Sequence, residues 1–443
     1  MDSYIWAQIK NYSVGIITGF FFVLFAVLPV QLALDTGGTV TQELPKTPED
    51  FVPAVRIIAF TDSHNRNDHV ADAIDTAYAL FDGDETYAGV DAFFGLGDFS
   101  SVGAEGDYIT FVNTLKAHVR EETICINILG NHEFKDDQYR AYFLYNFGYE
   151  PDTVTDVNGF SCIAFSGERG ATEWTFTNQS LKWLDHAISE AESKADGKPI
   201  FVFQHPHPWG TVYGSIFACD PQLNLVFNKH PGIVDFSGHS HCPMNDPRSM
   251  LQTNYTTVGC GAMAYYALDK NGIPAQHPDG YDPAAEICVI EADQDGSVRI
   301  RGFDLLSDTY FCDYYIEDVN DRDTYAYSYK NRKAHDAAPV FPADATATAY
   351  MNEGGEWVLS FNEATVPEGY IVHDYKVTIK DANGFLVFSE TMINDYYVID
   401  DDATADFRIG SDTLASGKEY TVKIKATTAY KHHSSIELKF TAE

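Results

Sequence analysis

The sequence predicts an α/β domain followed by a smaller all-β domain, and two patterns support this. From about residue 54, short apolar runs alternate with stretches whose apolar residues recur every three or four positions, the pattern of strands alternating with helices. From about residue 337, apolar and polar residues alternate one by one, which indicates half-buried strands. We therefore predict a signal peptide or membrane anchor over residues 1–36, a linker over 37–53, the α/β domain over 54–335 and a β-sandwich over 336–443.

The N-terminal segment indicates export. Residues 14–34 contain only Thr18 and Gln31 as clearly polar residues, and this length is enough to span a bilayer. Lys10 precedes the segment and Asp35 follows it, a charge bias that places the N-terminus inside the cell and the remainder outside. A cleaved signal peptide and a retained anchor both remain open. We expect a protein outside the cytoplasm, secreted or anchored at the cell surface.

Composition argues against a nucleic-acid partner and against a disulfide-bonded framework. The chain has 65 acidic and 29 basic residues, a formal net charge of −36, so we expect no duplex nucleic acid as a partner. Seven cysteines lack C-x-x-C spacing and imply no disulfide framework. No feature indicates a protein partner.

The helices of the α/β domain can be placed from their apolar faces. One helix is predicted around Val70 to Phe81, a second around Tyr108 to Val119, and a third around Leu181 to Ile188 with Asn178 as its cap. Each follows an apolar run, as the crossover helix of a parallel sheet does.

Polar motifs stand where five of the apolar runs end. In chain order they are Asp62-Ser63-His64, Gly97-Asp98, Gly130-Asn131-His132-Glu133, His205-Pro206-His207 and Gly238-His239-Ser240-His241. The first three are separated by about one strand–helix–strand unit, so we expect them at the same edge of a sheet, where α/β proteins bind ligands. The run over residues 123–129, before the third motif, is rich in β-branched residues and predicts a strand buried on both faces.

These residue types indicate a metal site. Carboxylate, imidazole and amide ligands suit Mn, Fe or Zn, and a carboxylate such as Asp98 can bridge two cations. Two metals about 3.5–4 Å apart can clamp a phosphoryl group during in-line displacement. Any one of these histidines alone would more often be a core residue, but five motifs in this order favour a metal centre.

At these motifs the sequence resembles the calcineurin-like metallophosphoesterase superfamily, over about residues 55–306. The resemblance implies a four-layered αββα sandwich with two divalent metal ions, Mn, Fe or Zn, at the carboxyl ends of its strands. It implies the following ligands: Asp62, His64 and His241 for the first metal, Asp98 between both, and Asn131, His205 and His239 for the second. It further implies that a metal-bridging hydroxide attacks phosphorus, while His132 donates a proton to the leaving oxygen or stabilises charge.

One position departs from the family pattern. Many members carry an Asp three residues after the bridging Asp, where it orients the His of the Asn-His pair, but here that position is Ser101. This disfavours the protein-serine/threonine phosphatase branch. Purple acid phosphatases, which place a Tyr there, are disfavoured as well. The pattern is more similar to phosphodiesterase-type members.

The resulting interpretation is an exported dinuclear-metal phosphoesterase that hydrolyses a phosphomonoester or phosphodiester. Arg66, Arg169 and His207 are candidates for phosphate contacts because of their sequence positions. The first alternative is a non-catalytic surface binding or scaffolding protein, although all seven ligand positions are intact. In the second alternative, the β-sandwich carries the main function, and Trp357 forms part of a glycan-binding surface. Residues 416–426 resemble the penultimate strand of a fibronectin type III domain.

Overall fold

The first part of the chain, where the structure describes it, folds into two six-stranded mixed β-sheets and two small two-stranded sheets. The computed structural model describes residues 42–169, 175–399 and 403–443; the predicted anchor at residues 14–34 lies outside this part. The strands, in chain order, are β1 Val55–Phe60, β2 Ala92–Gly95, β3 Ile124–Asn127, β4 Thr153–Val157, β5 Phe160–Phe165, β6 Ile200–Gln204, β7 His207–Pro208, β8 Cys219–Asp220, β9 Ile233–Ser237, β10 Met250–Gln252, β11 Thr256–Gly259, β12 Leu268–Lys270, β13 Ile273–Gln276, β14 Glu286–Ala292, β15 Val298–Asp304 and β16 Thr309–Ile316.

Helices connect these strands. They are α1 Asn67–Phe81, α2 Glu105–His118, α3 Tyr139–Phe147, α4 Asn178–Glu192, α5 Leu223–Phe227 and α6 Tyr329–His335. The predicted apolar faces of α1, α2 and α4 are buried. The predicted cap at Asn178 is wrong by one residue, because the Thr177 side chain accepts the hydrogen bond from the N–H of Ser180. None of the helices described here is both long enough and apolar enough to cross a bilayer.

The two six-stranded sheets pack face to face. The first has the order β16-β15-β14-β1-β2-β3 and the second β10-β11-β9-β6-β5-β4. The two small sheets are β7-β8 and β12-β13. Strands β1 to β3 are parallel, as are β5, β6, β9 and β11. Phe94 of the first sheet stacks on Phe203 of the second with ring centroids 3.9 Å apart. Helices α1 and α2 cover the outer face of the first sheet and α4 and α5 that of the second. The predicted four-layered αββα fold is confirmed.

Strand β3 differs from its prediction. It is an edge strand, and Ile124, Cys125 and Ile126 are only half-buried. Both of its faces contact apolar cores, which explains the β-branched sequence, but one side has no neighbouring strand. There the N–H of Asn127 donates to the hydroxyl of Tyr149 at 2.8 Å.

The C-terminal part is a sandwich of antiparallel sheets. Its strands are β17 Ala347–Met351, β18 Trp357–Asn362, β19 Val372–Asp381, β20 Leu386–Ile393, β21 Thr404–Ile409, β22 Glu419–Thr428 and β23 His433–Thr441. The sheets have the orders β17-β18-β21 and β20-β19-β22-β23 and share one core. Trp357 belongs to that core and is 2% exposed, so its side chain offers no glycan platform. The resemblance to fibronectin type III stays a prediction.

The sandwich packs directly on the α/β part. Tyr397 of the sandwich lies beside Tyr266 with ring centroids 5.6 Å apart, within an apolar cluster that includes Tyr213 and Ile393. The hydroxyl of Tyr213 also lies 3.1 Å from Nε2 of His373. Residues 44–443 form one compact unit. Helix α6 ends at His335 and strand β17 begins at Ala347. The predicted domain boundary at residues 335/336 stays a prediction.

Candidate metal centre

The predicted ligands meet at the carboxyl ends of strands from both sheets. Strands β1, β2, β6 and β9 each lead into one of the motifs, and the loop after β3 brings Asn131 to the same place. Five of the predicted ligands have positive φ, between 42° and 68°: Asp62, His64, Asp98, His239 and His241. This conformation is unfavourable for residues other than glycine, and such strain concentrates at functional sites.

Three groups of side chains could each hold a metal ion. They are Asp62, His64 and His241; His64, Asp98 and His132; and Asp98, His205 and His239. Within each group the ligand atoms lie within 4.8 Å of one another. His64 and Asp98 each belong to two groups, and Asp98 joins His64 of the first predicted site to His205 and His239 of the second, as expected of a bridging carboxylate. The structure therefore brings all eight predicted site residues together, including Asn131, whose Oδ1 lies 3.1 Å from Nε2 of His205.

Hydrogen bonds orient the imidazoles toward a common point. Nδ1 of His205 donates to the carbonyl oxygen of Leu96 at 2.7 Å, and Nδ1 of His241 donates to that of Tyr265 at 2.9 Å. These contacts leave the Nε2 atom of each imidazole facing the centre, where a bound metal would take the place of its proton. The two Nε2 atoms of His64 and His241 are only 3.1 Å apart, a distance that suits a shared cation.

Each of the two carboxylates has one oxygen that already accepts hydrogen bonds. Oδ2 of Asp62 accepts from the Thr61 hydroxyl and the His239 N–H, at 2.7 and 2.8 Å. Its Oδ1 is buried without a hydrogen-bond partner in the described structure and lies 3.2 Å from Nε2 of His241. Oδ1 of Asp98 accepts from the N–H of His132 at 2.8 Å, and its Oδ2 lies 3.3 Å from Nε2 of His205. An orphaned carboxylate oxygen among imidazole nitrogens fits a divalent cation.

Comparison with protein families identifies this region. The family model described as calcineurin-like phosphoesterase matches residues 55–243, a range that contains every predicted ligand. These residues form a calcineurin-like metallophosphoesterase domain.

Three solved structures are similar to about 60% of this chain, and all are distant from it in sequence. The protein TT1561 of Thermus thermophilus is 12% identical, with a TM-score of 0.34, over 61% of this chain and 100% of its own. A purple acid phosphatase from yellow lupin seeds is 12% identical, with a TM-score of 0.41, over 60% of this chain and 54% of its own. A cold-active protein-tyrosine phosphatase of Shewanella is 13% identical, with a TM-score of 0.25, over 62% of this chain and 86% of its own. Comparison with curated proteins gave no match.

Buried carboxylates and imidazoles shift one another's pKa values in the centre of the metallophosphoesterase domain. Burial opposes the protonation of His205, but Asp98 and Asp62 together raise its pKa to about 10. Burial and the neighbouring His241 lower the pKa of His64 to about 4. Burial and His205 lower that of His239 to about 3. Although burial acts against it, nearby histidines hold the pKa of Asp98 below its usual range. The centre thus concentrates negative charge that a cation can balance.

Glu133 is a site residue whose role the sequence does not predict. It is fully buried and accepts hydrogen bonds from the N–H groups of Asp98, Ser100 and Gly130, at 2.9, 2.8 and 2.7 Å. Burial and Asp98 act to raise its pKa, while the hydrogen bonds from Ser100 and Gly130 favour the ionised form. A side chain at Gly130 would overlap Asp98, so this glycine permits the close approach of the two loops. Glu133 therefore joins the second and third motifs into one rigid support.

His132 lies at the edge of the centre. Its Nδ1 is 2.6 Å from the carbonyl oxygen of Ser101, and its Nε2 is 3.9 Å from Oδ2 of Asp98. Nζ of Lys135 lies 2.7 Å from the same Nδ1 and 3.2 Å from the Ser101 carbonyl oxygen, so both a donor and an acceptor face this nitrogen. A backbone carbonyl thus takes the orienting position that an Asp at 101 would fill. Neither contact has a signal in the sequence.

The three candidates for phosphate contacts have other partners. His207 is buried between the hydroxyls of Ser237 and Ser240, at 2.7 and 2.8 Å, so the prediction that it contacts phosphate is wrong. Arg66 pairs with Asp68 at 3.2 Å. Arg169 donates to the carbonyl oxygen of Asn131 at 2.8 Å and lines a cleft beside the second ligand group.

Proposed function

We propose that this protein is a metal-dependent phosphoric ester hydrolase that cleaves a phosphomonoester or phosphodiester at two divalent metal ions. The observation that carries this proposal is Asp98, whose carboxylate is grouped with His64 of the first predicted site and with His205 and His239 of the second. Asp62, His64 and His241 would hold one ion, and Asn131, His205 and His239 the other, with Asp98 between them. Mn, Fe and Zn all suit these ligands. When bound, the ions supply Lewis-acid activation of a water and of the phosphoryl group.

The residues of the chain have distinct tasks in this reaction. Burial of Asp62 and Asp98 limits access of bulk water to the ligand oxygens and strengthens their electrostatic interactions. The loops held by Glu133 fix Asp98 relative to Asn131. His132, which is only partly buried and oriented through Nδ1, presents Nε2 to the substrate side. There it can hold or move a proton at the leaving oxygen.

The alternative is a protein that uses this fold only to bind or to scaffold. All seven predicted ligand positions carry metal-binding residue types, which favours catalysis. A purely binding or scaffolding role would not require Asn131, His205 or the shared Asp98. We further propose that the protein acts outside the cytoplasm, which the apolar N-terminal segment supports, with a phosphate ester as its substrate.

The test is a substrate panel assayed with the purified full chain. Phosphomonoesters, phosphodiesters, cyclic nucleotides and lipid head groups are compared after stripping the metal and reloading it with Mn²⁺, Fe²⁺ or Zn²⁺. We expect hydrolysis of at least one ester class to disappear with chelation and return with one ion. Full activity in metal-free protein would contradict the proposal, and metal-loaded protein inactive on every class would favour the binding role.

A further inference from the structure

Tyr265 lies against the metal centre although it belongs to none of the five motifs. It follows β11, and its ring stacks on the imidazole of His241 with centroids 4.1 Å apart and an interplanar angle of 18°. It is also nearly parallel to the ring of His64, at 5.5 Å and 27°. One aromatic side chain therefore covers two predicted ligands of the same metal.

The backbone of Tyr265 is held beside the same imidazole on which its ring stacks. Its carbonyl oxygen accepts from Nδ1 of His241 at 2.9 Å, so the tyrosine begins at the Nδ1 end of that imidazole. A ring that lies flat on the imidazole from there carries its hydroxyl toward the Nε2 end. Oδ1 of Asp62 lies 3.2 Å from that Nε2 atom. The hydroxyl thus extends toward the side where a substrate would approach.

The Tyr265 hydroxyl can act as a donor, because a phenol is ordinarily protonated at neutral pH. Within the part of the chain that the structure describes, the hydroxyl makes no hydrogen bond. The neighbouring Tyr266, by contrast, donates to Glu286 at 3.0 Å.

We propose that Tyr265 is a substrate-contacting residue whose hydroxyl donates a hydrogen bond to a non-bridging oxygen of the phosphoryl group. This inference rests on the proposed function, because it needs a phosphoryl group at the centre. A half-buried phenol without a partner in the described structure is a preorganised donor, and bonds to anionic oxygens are about twice as strong as neutral ones. Loss of one such preorganised donor lowers kcat by about 10²–10³-fold in well-studied sites.

The experiment compares Tyr265→Phe with Tyr281→Phe in the full chain loaded with Mn²⁺. The first change keeps the ring and its stacking but removes the hydroxyl. Tyr281 is a matched control because its ring belongs to the same aromatic cluster, 6.4 Å from that of Tyr265. Three quantities are measured: Mn²⁺ bound per chain, the affinity for inorganic phosphate and orthovanadate by calorimetry, and kcat/KM on the best ester of the panel.

We expect Tyr265→Phe to retain its Mn²⁺ and to bind phosphate and vanadate at least about 10-fold more weakly, with kcat/KM reduced about 10–100-fold, a smaller loss than for a dedicated oxyanion donor. Tyr281→Phe should match the wild type. Unchanged phosphate affinity in Tyr265→Phe, or loss of its Mn²⁺, would overturn the inference while leaving wild-type hydrolysis intact. If the wild type hydrolysed no ester but bound phosphate through Tyr265, the contact would stand and the proposed function would fail. A wild type that bound no phosphate would overturn the inference.

Discussion

The carboxylate of Glu133 accepts a hydrogen bond from the backbone N–H of Asp98 at 2.9 Å, so the predicted bridging ligand is held by a buried acid from another motif. The same carboxylate also accepts from Ser100 and Gly130. Three donors converge on one side chain that offers only acceptors when ionised. The geometry of Asp98 therefore depends on a residue that need not contact the metal.

The first prediction concerns this support. Glu133→Gln replaces one acceptor oxygen by an NH₂ group, which must face a backbone donor. We expect Mn²⁺ affinity to fall about 10–100-fold, the usual loss when an outer-shell partner of a ligand is removed. The measurement is calorimetric Mn²⁺ titration, with the exposed Glu122→Gln as control. Wild-type affinity in Glu133→Gln would show that the loops hold their positions without the carboxylate.

The second prediction concerns Asp98 itself. Asp98→Asn keeps the shape of the side chain but removes its charge, and a neutral amide bridges two cations poorly. We expect fewer than two metal ions per chain and a loss of turnover of at least about 100-fold, beyond the range for outer-shell residues. Elemental analysis and kcat provide the measurement. Asp72→Asn, on the exposed face of α1, is the control, and two ions with normal turnover in Asp98→Asn would refute the bridge.

The third prediction separates two roles for His132. If Nε2 delivers a proton, His132→Asn should slow alkyl esters by about 10²–10⁴-fold but nitrophenyl esters much less, since an activated leaving group scarcely needs the proton. If the imidazole only stabilises phosphoryl charge, both losses should be similar. The measurement is kcat/KM on both ester types. We expect kcat/KM to fall more for the alkyl ester. Equal losses would contradict the role of His132 as an acid, and no loss would show that His132 takes no part in the reaction.

The fourth prediction concerns the packing of the sandwich on the metallophosphoesterase domain. Tyr397 is 3% exposed and donates through its hydroxyl to the carbonyl oxygen of Asp279 at 2.5 Å. Truncation of a buried aromatic side chain typically costs about 3–5 kcal/mol. We therefore expect Tyr397→Ala to lower the free energy of unfolding by about that much in urea titrations. Phe385→Ala, 71% exposed in the same domain, should have little effect.

What the sequence predicts well here is that the candidate ligand residues lie close together. Asp62, Asp98 and His205 follow apolar runs, and parallel strands bring such ends to one edge. The sequence cannot show where the sheet ends, so the apolar run of β3 predicts a strand buried on both faces, whereas the structure has a half-buried edge strand. It also cannot separate two adjacent capping residues such as Thr177 and Asn178, since both types cap helices well.

The other contacts that the sequence does not predict involve groups that no characteristic residue type or spacing marks. The carbonyl oxygen of Ser101 orients His132, and a backbone group is the same at every position. Stacking of Tyr265 on His241 depends on the path of the loop after β11. The contact of Tyr397 with Tyr266 joins residues 131 positions apart, and tyrosines in apolar surroundings occur throughout this chain.

The last prediction concerns Glu286 and the pH dependence of stability. This side chain is buried. It accepts hydrogen bonds from the N–H of Met244 and from the hydroxyl of Tyr266, both at 3.0 Å. Burial, assisted by Asp304, raises its pKa from the ordinary 4.5 to about 8.

Between pH 4.5 and 8 the folded protein thus keeps a proton on Glu286 that the unfolded chain has released. Stability must fall with rising pH wherever the folded state binds more protons. Glu286→Gln is neutral at every pH and lacks this loss, so the free energy of unfolding of the variant minus that of the wild type should grow from pH 5 to pH 8. The slope for one group is at most about 1.4 kcal/mol per pH unit. Urea unfolding in the presence of chelator measures it, with Glu122→Gln as control. Parallel pH profiles for wild type and Glu286→Gln would mean that Glu286 is already ionised in the folded protein.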